Sequence, residues 1–435
     1  MTPLPLIFAA TCDLAGKVRG KAFPANELER RLVRGVGWTP TNVQITCFDA
    51  IADSPFGALG DLLLIPDPTA EVKLDLGQGP VMHVMLGDIV DLDGAPWALC
   101  TRHLLRSALE RLERLSGAHL LAAFEHEFQL KTPGLANEGY GLGAFERRRA
   151  LMETLMGALK AAGLDPDTIM KEYGPDQFEV VIGPQIGVKA ADAAVILREI
   201  TRHVAFAMGE EATFAPILDT ASVGNGVHMH MSFVDAKGAP MGYDPDGSCG
   251  MSPLTGSFAA GILKYLPQIL ALTAPSVVSY ERLTPHRWSA AYNNLGFRDR
   301  EAALRICPVT AREPASIAKQ FNIEYRASDA AACPHLALAA VVHAGCQGIE
   351  EGLAAPAPTE EDLSLLNPAD LDARGFVRLP TSLASALEAF SGDETTKGWF
   401  PAPFAEVYRA HKDGEIAYLA DMDVPAKCAA YGETY

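Results

Sequence analysis

Two segments of the sequence alternate between polar and apolar residues, LLAAFEHEFQL at 120–130 and GNGVHMHMSF at 224–233. Because successive side chains of a β-strand point to opposite faces, each segment predicts a strand with one polar face. The polar faces carry Glu125, Glu127 and Gln129 in the first strand, and His228, His230 and Ser232 in the second. The opposite faces are apolar, which predicts burial against a core. The fold should therefore contain one strand with carboxylates on its polar face and another with imidazoles on its polar face.

Two further segments add acidic side chains in the same way. Glu324 and Arg326 share a face in NIEYR, while Glu172 and Glu179 bracket a turn into a strand in KEYGPDQFEVVI. Each stripe alone is also typical of the water-facing side of an antiparallel strand. Five carboxylates in one cavity would repel one another, at a cost of several kcal/mol for each buried charge, and divalent cations would offset that cost. Oxygen ligands with one imidazole favour Mg²⁺ or Mn²⁺ over zinc.

The composition excludes several classes of protein. The 435 residues include 36 Lys and Arg against 54 Asp and Glu, and the net charge of −18 excludes a generic nucleic-acid coat protein. With 49% hydrophobic and 21% charged residues, the chain is typical of globular proteins. Its apolar stretches are too interrupted to span a membrane, the N-terminus lacks the basic residues of a signal peptide, and the eight cysteines are scattered without a CxxC pair. We predict a cytoplasmic protein with reduced thiols and without nucleic-acid or membrane partners.

The composition and the hydrophobic pattern of the sequence change near residue 100. Residues 1–100 are rich in Gly, Pro and Asp, and apolar runs at 43–48 and 62–65 predict a small, strand-rich domain. Beyond residue 100, helical periodicity predicts helices near 103–115, 145–162, 190–208, 254–272, 335–352, 382–390 and 404–418. Segments of period two lie between them. We predict an α+β protein with two domains, 1–100 and 101–435, in which the helices of the second pack against a sheet.

The order of the motifs along the chain is specific. DLAGKVRGK and GDLLLIPDP lie in the first 100 residues, and they are followed by FEHEF, EYGPDQFE, GNGVHMHMSF, SYERLTP, FRDREAALRI and IEYRASDAAACPHLALAA. Together these motifs resemble the glutamine synthetase family over nearly the whole chain. The resemblance implies a small N-terminal β-grasp domain, and a large catalytic domain with a curved antiparallel sheet flanked by helices.

The resemblance also implies a role for each polar position. One metal ion would be held by Glu127, Glu172 and Glu179, and another by Glu125, His228 and Glu324. Glutamate would be held by Gly224, Arg282 and Arg326. ATP would bind against His230, Ser232 and Lys319, with the transferring phosphoryl group between Arg300 and Arg305. In ammonia-using members an aspartate from the neighbouring subunit serves the ammonium ion, and its match here is Asp49 in CFDAIAD.

The activity implied by the resemblance is an ATP-dependent ligation in two steps. ATP phosphorylates the γ-carboxylate of glutamate, and an amine then attacks the acyl phosphate to give an amide, ADP and phosphate. Two or more Mg²⁺ or Mn²⁺ ions in each active site would offset the charge of the transferring group. The family assembles as rings, commonly two stacked hexamers, so we expect a homo-oligomeric ring with the dodecamer as its usual form.

Trp288 departs from the family pattern at the position of the flap glutamate of ammonia-using members, six residues after Arg282. An indole cannot accept a proton, but its face attracts an alkylammonium ion with about 0.5–2 kcal/mol. An aromatic residue here resembles the γ-glutamyl amine ligase branch of the family, which implies an organic amine that contacts Trp288. Two alternatives stay open. One is an ammonia-using glutamine synthetase in which Trp288 only packs in its loop. The other is a catalytically inactive structural relative, which is supported by Val223 where ammonia-using members have an asparagine near glutamate, and by Asn322 where they have an arginine that reaches ATP.

Overall fold

The computed structural model describes residues 3–77, 79–131, 134 and 138–435. Its strands are β1 Leu6–Cys12, β2 Val18–Pro24, β3 Val36–Trp38, β4 Leu62–Leu74, β5 Met82–Val90, β6 His119–Leu130, β7 Pro166–Lys171, β8 Gln177–Ile182, β9 Gln185–Ile186, β10 Ala212–Thr213, β11 Val227–Val234, β12 Leu295–Phe297, β13 Leu304–Ile306 and β14 Ile323–Tyr325. Its α-helices are α1 Leu28–Arg34, α2 Thr101–Ser116, α3 Leu142–Ala161, α4 Val188–Ala207, α5 Pro253–Thr273, α6 Ser279–Arg282, α7 Pro314–Gln320, α8 Pro334–Glu350, α9 Pro368–Ala373, α10 Leu383–Gly392, α11 Glu394–Lys397, α12 Phe404–Tyr418 and α13 Val424–Thr434.

The strands form two sheets, which confirms the predicted α+β fold with a small N-terminal β-grasp domain. The small sheet has the order β2-β1-β5-β4-β3, and β1 and β5 are its parallel pair. The large sheet follows the path β12-β13-β14-β11-β6-β8-β7, with β9 and β10 paired to β6. Its pairs are antiparallel except for β12 with β13. The helices predicted from periodicity coincide with α2, α3, α4, α5, α8, α10 and α12 within a few residues, whereas α1, α6, α7, α9, α11 and α13 were not predicted.

The prediction of a strand at 43–48 is wrong, whereas the run at 62–65 begins β4. Residues Pro40–Gln44 form a 3₁₀ helix, and the Gln44 side chain donates from Nε2 to the carbonyl oxygen of Asp53 at 2.6 Å. Phe48 stacks on Tyr418 of α12, with ring centroids 4.5 Å apart. Val43 and Cys47 are buried, and Phe48 is half-buried against α12. The apolar character of this loop therefore reflects packing rather than pairing in a sheet.

An ionic cluster around Arg102 joins the start of α2 to the small sheet and to α4. The guanidinium group is 2% exposed and donates to both carboxylate oxygens of Asp192, at 2.9 and 2.8 Å. It also lies 2.9 Å from Asp67 of β4 and 3.2 Å from Asp88 of β5. His335 of α8 completes the cluster, with Nε2 2.8 Å from Asp192 Oδ1. Residues far apart in sequence are thus tied together by one buried cation.

The structure shows no helix, among the residues it describes, that is long and apolar enough to cross a bilayer. All eight cysteines are free thiols.

His343 of α8 should make the folded protein sensitive to acid. Its ring stacks on Trp399 at 5.9 Å, and Nδ1 lies 3.3 Å from Nη1 of Arg111. Burial, with the charge of Arg111, lowers the pKa of His343 to about 3. The unfolded value is about 6.5, so the unfolded chain binds the extra proton and stability falls as the pH drops from 6.5 towards 3. Between about pH 6.5 and pH 5 we expect His343 to remove about 2 kcal/mol of unfolding free energy.

His343→Gln measures this contribution, because glutamine carries no titrating group. Urea unfolding at about pH 6.5 and pH 5 should show a loss that is smaller in His343→Gln than in the unchanged protein, by about 2 kcal/mol. His286 is exposed, and His286→Gln is the control that should keep the full loss. If His343→Gln and the unchanged protein lost the same unfolding free energy between the two pH values, His343 would not be the group that causes the loss.

Candidate active site

The register of the large sheet brings the polar stripes side by side. β11 lies between β6 and β14, and β6 also pairs with β8. The facing pairs are His228 with Glu125, His230 with Glu324, Glu127 with Glu179, and Arg305 with Glu324. Residues that face each other in an antiparallel pair have Cβ atoms about 5 Å apart, so the sheet assembles these groups into one polar surface. The shared faces predicted from the alternation are therefore present.

A cavity of about 590 Å³ lies over this surface. Every site residue predicted from the sequence lines it, except Asp49, Ser232 and Lys319. The acidic part of its lining is Glu125, Glu127, Glu172 and Glu179, and the basic part is Arg282, Arg300, Arg305 and Arg326, with Glu324 paired to Arg305 and Arg326. The cavity thus carries both charges, which suits a ligand with bound cations and an anionic group.

The acidic part holds more carboxylate charge than the described side chains balance. Burial raises the pKa of Glu179 to about 9, and the charges of Glu125 and Glu127 add to the rise. Burial likewise raises the pKa of Glu127 to about 7, although the backbone N–H of Gly226 donates to its Oε2 at 2.8 Å. Such groups favour either a proton or a metal ion. Glu125, Glu179 and His228 each bring one ligand atom within 4.8 Å of the others, so this donor set fits a divalent cation.

Glu324 has the opposite environment. Its side chain is 1% exposed, and Arg305 Nη1 donates to its Oε2 at 2.8 Å while Arg326 donates to its Oε1. His228 Nδ1 lies 3.4 Å from Oε1. Although burial opposes it, the charge of Arg326, with those of His228 and His230, holds the pKa of Glu324 at about 2. Glu324 is therefore an ionised carboxylate between the imidazoles and the guanidinium groups.

Another part of the cavity wall is built from Arg282 and a close backbone approach. Arg282 is 3% exposed and donates from Nη2 to the carbonyl oxygen of Ser328 at 2.6 Å. Gly224 packs against it, because an added Cβ would lie 2.7 Å from Arg282 Cγ and 2.3 Å from the carbonyl oxygen of Pro216. A side chain at position 224 would displace the guanidinium group, so glycine is required there.

Trp288 stands at the rim of the cavity on a strained loop. Its φ is 54°, and its side chain is 59% exposed. The backbone N–H donates to Glu301 Oε1 at 2.8 Å, and the carbonyl oxygen accepts from Arg326 Nη2 at 3.1 Å. Arg287 ties the same loop to the carbonyl oxygen of Ser222 at 2.8 Å. The indole also borders a second cavity of about 620 Å³, so it separates two open spaces.

Three predicted site residues do not line the cavity. Asp49 is in the small domain, 68% exposed and 2.8 Å from Arg19. Ser232 is on β11 opposite Leu121, and Lys319 is on α7. One chain therefore does not bring Asp49 to the cavity, and its role towards a neighbouring subunit stays a prediction.

Sequence reasoning missed several residues of the cavity wall, among them Tyr140, Gln177, Arg287 and Cys307. Gln177 Nε2 donates to Glu127 Oε2 at 3.2 Å and to the carbonyl oxygen of Gly224 at 2.9 Å. Its spacing of two from Glu179 on one strand was a signal that could have found it. Tyr140 donates from its hydroxyl to Glu172 Oε2 at 2.9 Å from a loop without periodicity, so no pattern marked it.

Two family models match the sequence. Residues 1–97 match the glutamine synthetase N-terminal domain, and residues 98–431 match the glutamine synthetase catalytic domain. The chain is 32% identical to gamma-glutamylpolyamine synthetase GlnA3 of Streptomyces coelicolor, over 99% of this chain and 93% of that protein. It is 30% identical to type-1 glutamine synthetase 1 of Dictyostelium discoideum, over 83% of this chain and 78% of that protein.

A solved structure agrees with these matches. A crystal structure described as a novel glutamine synthase homolog superposes with a TM-score of 0.91 and 41% identity, over 100% of this chain and 99% of that chain. Enzymes of this family use ATP and divalent metals. The chain therefore belongs to the glutamine synthetase family and is an ATP-dependent carboxylate–amine ligase.

Proposed function

We propose that this ligase joins the γ-carboxyl group of glutamate to an organic amine, with a γ-glutamyl amide, ADP and phosphate as products. The observation that carries the proposal is the exposed indole of Trp288 at the rim of the cavity. An indole face binds an alkylammonium ion, whereas it offers no carboxylate to an ammonium ion. The full-length similarity to a gamma-glutamylpolyamine synthetase supports the same acceptor class.

Residues of the acidic part would hold two or more Mg²⁺ or Mn²⁺ ions. We assign Glu127, Glu172 and Glu179 to one ion, and Glu125, His228 and Glu324 to another. When bound, these ions would offset the negative charge of the phosphates and of the acid substrate. We assign glutamate to Gly224, Arg282 and Arg326, because buried guanidinium groups bind carboxylates with paired hydrogen bonds.

The reaction consists of two bond exchanges. First, an oxygen of the γ-carboxylate bonds to the γ-phosphorus of ATP, the bond from that phosphorus to the bridging oxygen breaks, and ADP leaves. Then the neutral amine nitrogen bonds to the carbonyl carbon of the γ-glutamyl phosphate, the bond from that carbon to the phosphate oxygen breaks, and the nitrogen loses one proton. A carboxylate is a poor electrophile, so phosphorylation supplies the leaving group that the second exchange needs.

The remaining residues position ATP and the transferring group. Arg305 is 7% exposed, and the carbonyl oxygen of Arg300 accepts from Arg326 Nε at 3.1 Å. We propose that Arg300 and Arg305 clamp the phosphoryl group from the basic side, where positive charge stabilises the transition state. We assign ATP to His230, Ser232 and Lys319.

We also propose a cytoplasmic homo-oligomeric ring, of twelve subunits as is common in the family, with no nucleic-acid or membrane partner. In such a ring Asp49 would face the cavity of a neighbouring subunit and take part in accepting the proton from the amine. Its exposure and its position in the small domain are compatible with that placement.

The test is ADP release with ATP, Mg²⁺ and glutamate, comparing ammonium with monoamines, ethanolamine, diamines and polyamines at equal concentration. We expect an organic amine to give a higher kcat/KM than ammonium. Highest activity with ammonium would instead assign plain glutamine synthesis, and absence of amine-dependent ADP release with every amine would contradict both assignments.

Trp288→Ala tests the part played by the indole. Loss of a cation–π contact of about 0.5–2 kcal/mol should raise the KM of the preferred amine about 2- to 30-fold and leave the KM of glutamate unchanged. Trp288→Phe keeps an aromatic face and should retain most of the affinity. Equal amine KM values in all three proteins would show that Trp288 only packs in its loop.

A further inference from the structure

Cys307 places a thiol in the wall of the cavity, directly after β13. It is 8% exposed, and its Sγ lies 3.6 Å from His230 Nδ1 and 3.6 Å from Glu324 Oε2. The three residues bring one ligand atom each within 4.8 Å of the others. The nitrogen, sulfur and oxygen donors come from three adjacent strands or strand ends, so the large sheet fixes their separation.

The sulfur–nitrogen and sulfur–oxygen separations match those around a tetrahedral metal ion. A zinc ion with bonds of about 2.3 Å to sulfur and about 2.0 Å to nitrogen or oxygen separates these ligand atoms by about 3.5 Å at tetrahedral angles. The observed sulfur–nitrogen and sulfur–oxygen separations are both 3.6 Å. A thiolate with an imidazole and a carboxylate is a softer donor set than oxygen alone, and such a set favours zinc over magnesium.

The surroundings support this geometry. His230 Nε2 lies 3.0 Å from Glu125 Oε1, and a carboxylate at the second ring nitrogen is the arrangement that orients zinc-binding histidines. Asn322 Oδ1 accepts a hydrogen bond from His230 Nδ1 at 2.9 Å, and a zinc ion would take the place of that proton. Arg305 Nη1 donates to Glu324 Oε2 at 2.8 Å, which holds in place the carboxylate oxygen that lies 3.6 Å from Cys307 Sγ.

We propose that His230, Cys307 and Glu324 form a binding site for zinc or another thiophilic divalent ion, with a fourth position open to the cavity. The inference goes beyond the proposed function and does not depend on which amine is the acceptor. Because Glu324 is also assigned to the Mg²⁺ or Mn²⁺ site, a thiophilic ion would compete with an ion at that site for the same carboxylate. The chain would thus contain an inhibitory zinc site within its own active cavity.

Cobalt spectroscopy tests the ligand set without measuring activity. Co²⁺ added to the full-length, metal-stripped protein should give the sulfur-to-cobalt charge-transfer band and the intense visible bands of a tetrahedral thiolate complex. Cys307→Ser should lack the charge-transfer band, whereas Cys249→Ser removes a thiol that does not line the cavity and should keep it. Absence of the band from the unchanged protein, or its persistence in Cys307→Ser, would overturn the proposal.

Zinc affinity provides the second measurement. Competition with a chromophoric chelator should show zinc binding that Cys307→Ser weakens at least tenfold, since loss of even an outer partner costs about 10- to 100-fold. Mn²⁺ affinity should change by less than about threefold, because manganese prefers oxygen ligands. Equal zinc affinity in both proteins would overturn the proposal. If circular dichroism shows that Cys307→Ser does not fold, the presence or absence of the charge-transfer band in the unchanged protein still tests the proposal.

Discussion

Glu179→Gln should abolish ligase activity and at the same time stabilise the metal-free protein. Glu179 is 7% exposed, and its nearest charges are the carboxylates of Glu125, Glu127 and Glu172. A neutral amide removes this repulsion and the cost of burying a charge, which we expect to add about 1–3 kcal/mol to the unfolding free energy. Loss of a ligand for the bound cations should lower kcat by about 1,000-fold, or about 4 kcal/mol.

Glu324→Gln should show the same loss of kcat with the opposite effect on stability. Its carboxylate pairs with Arg305 and Arg326, which are 7% and 4% exposed, so the variant leaves two buried cations short of a counter-charge. Breaking a buried ion pair from one side costs about 3–5 kcal/mol. The two substitutions thus change the free energy of unfolding in opposite directions, because Glu179 is surrounded by carboxylates and Glu324 by guanidinium groups.

Urea unfolding in the presence of EDTA and a steady-state ADP assay measure both effects. Glu394→Gln is the control, because that side chain is 89% exposed and should change neither quantity. Added Mn²⁺ should stabilise the unchanged protein more than Glu179→Gln, since a ligand stabilises the state that binds it. Destabilisation of the metal-free Glu179→Gln protein would contradict the assignment of that residue to a repulsive acidic cluster.

The alternation of polar and apolar residues was enough to predict which side chains share a face. Glu125 and Glu127, and likewise His228 and His230, follow from the period of two, because that period is a geometric property of every strand. The family motifs added the order of the strands along the chain. The register that places His228 opposite Glu125 depends on the pairing of distant segments, so it became visible only in the structure.

Other parts of the site gave no signal because their contacts depend on tertiary structure. Cys307 follows a three-residue strand, which is too short to show a period. Tyr140 adopts a left-handed backbone with φ of 59° in a loop before α3, where side-chain direction follows no repeat. The apolar run at 43–48 packs against α12, so a run of apolar residues that is typical of strands wrongly predicted a strand there. Arg102 sits in a helix whose apolar stripe is clear, but its three aspartates come from three separate elements.

Arg102→Met should lower the free energy of unfolding by about 3–5 kcal/mol, because it removes the buried cation that pairs with the buried Asp192 and with the half-buried Asp67 and Asp88. Although burial opposes it, hydrogen bonding and charge from His335, then Arg102, hold the pKa of Asp192 at about 2, so this carboxylate stays ionised at neutral pH. Asp192 would keep only His335, while Asp67 would lose its 2.9 Å partner. Methionine fills a similar volume, so the change tests the charge more than the packing.

Arg106→Met is the matched control for this prediction. Arg106 lies one helical turn further along α2 and contacts Asp88 through both Nη atoms, at 2.7 and 2.8 Å. Its side chain is 35% exposed, however, and ion pairs near the surface contribute about 0–1 kcal/mol. In urea unfolding at neutral pH, the unfolding free energies of the two variants should therefore differ by at least about 2 kcal/mol.

Arg102 also joins the small sheet to α2 and α4, so Arg102→Met should make the small N-terminal domain more susceptible to limited proteolysis. Arg106→Met should be cut no faster than the unchanged protein. Equal unfolding free energies for the two variants would mean that solvent reaches Arg102 in the folded protein, and that the cluster does not hold the small sheet in place.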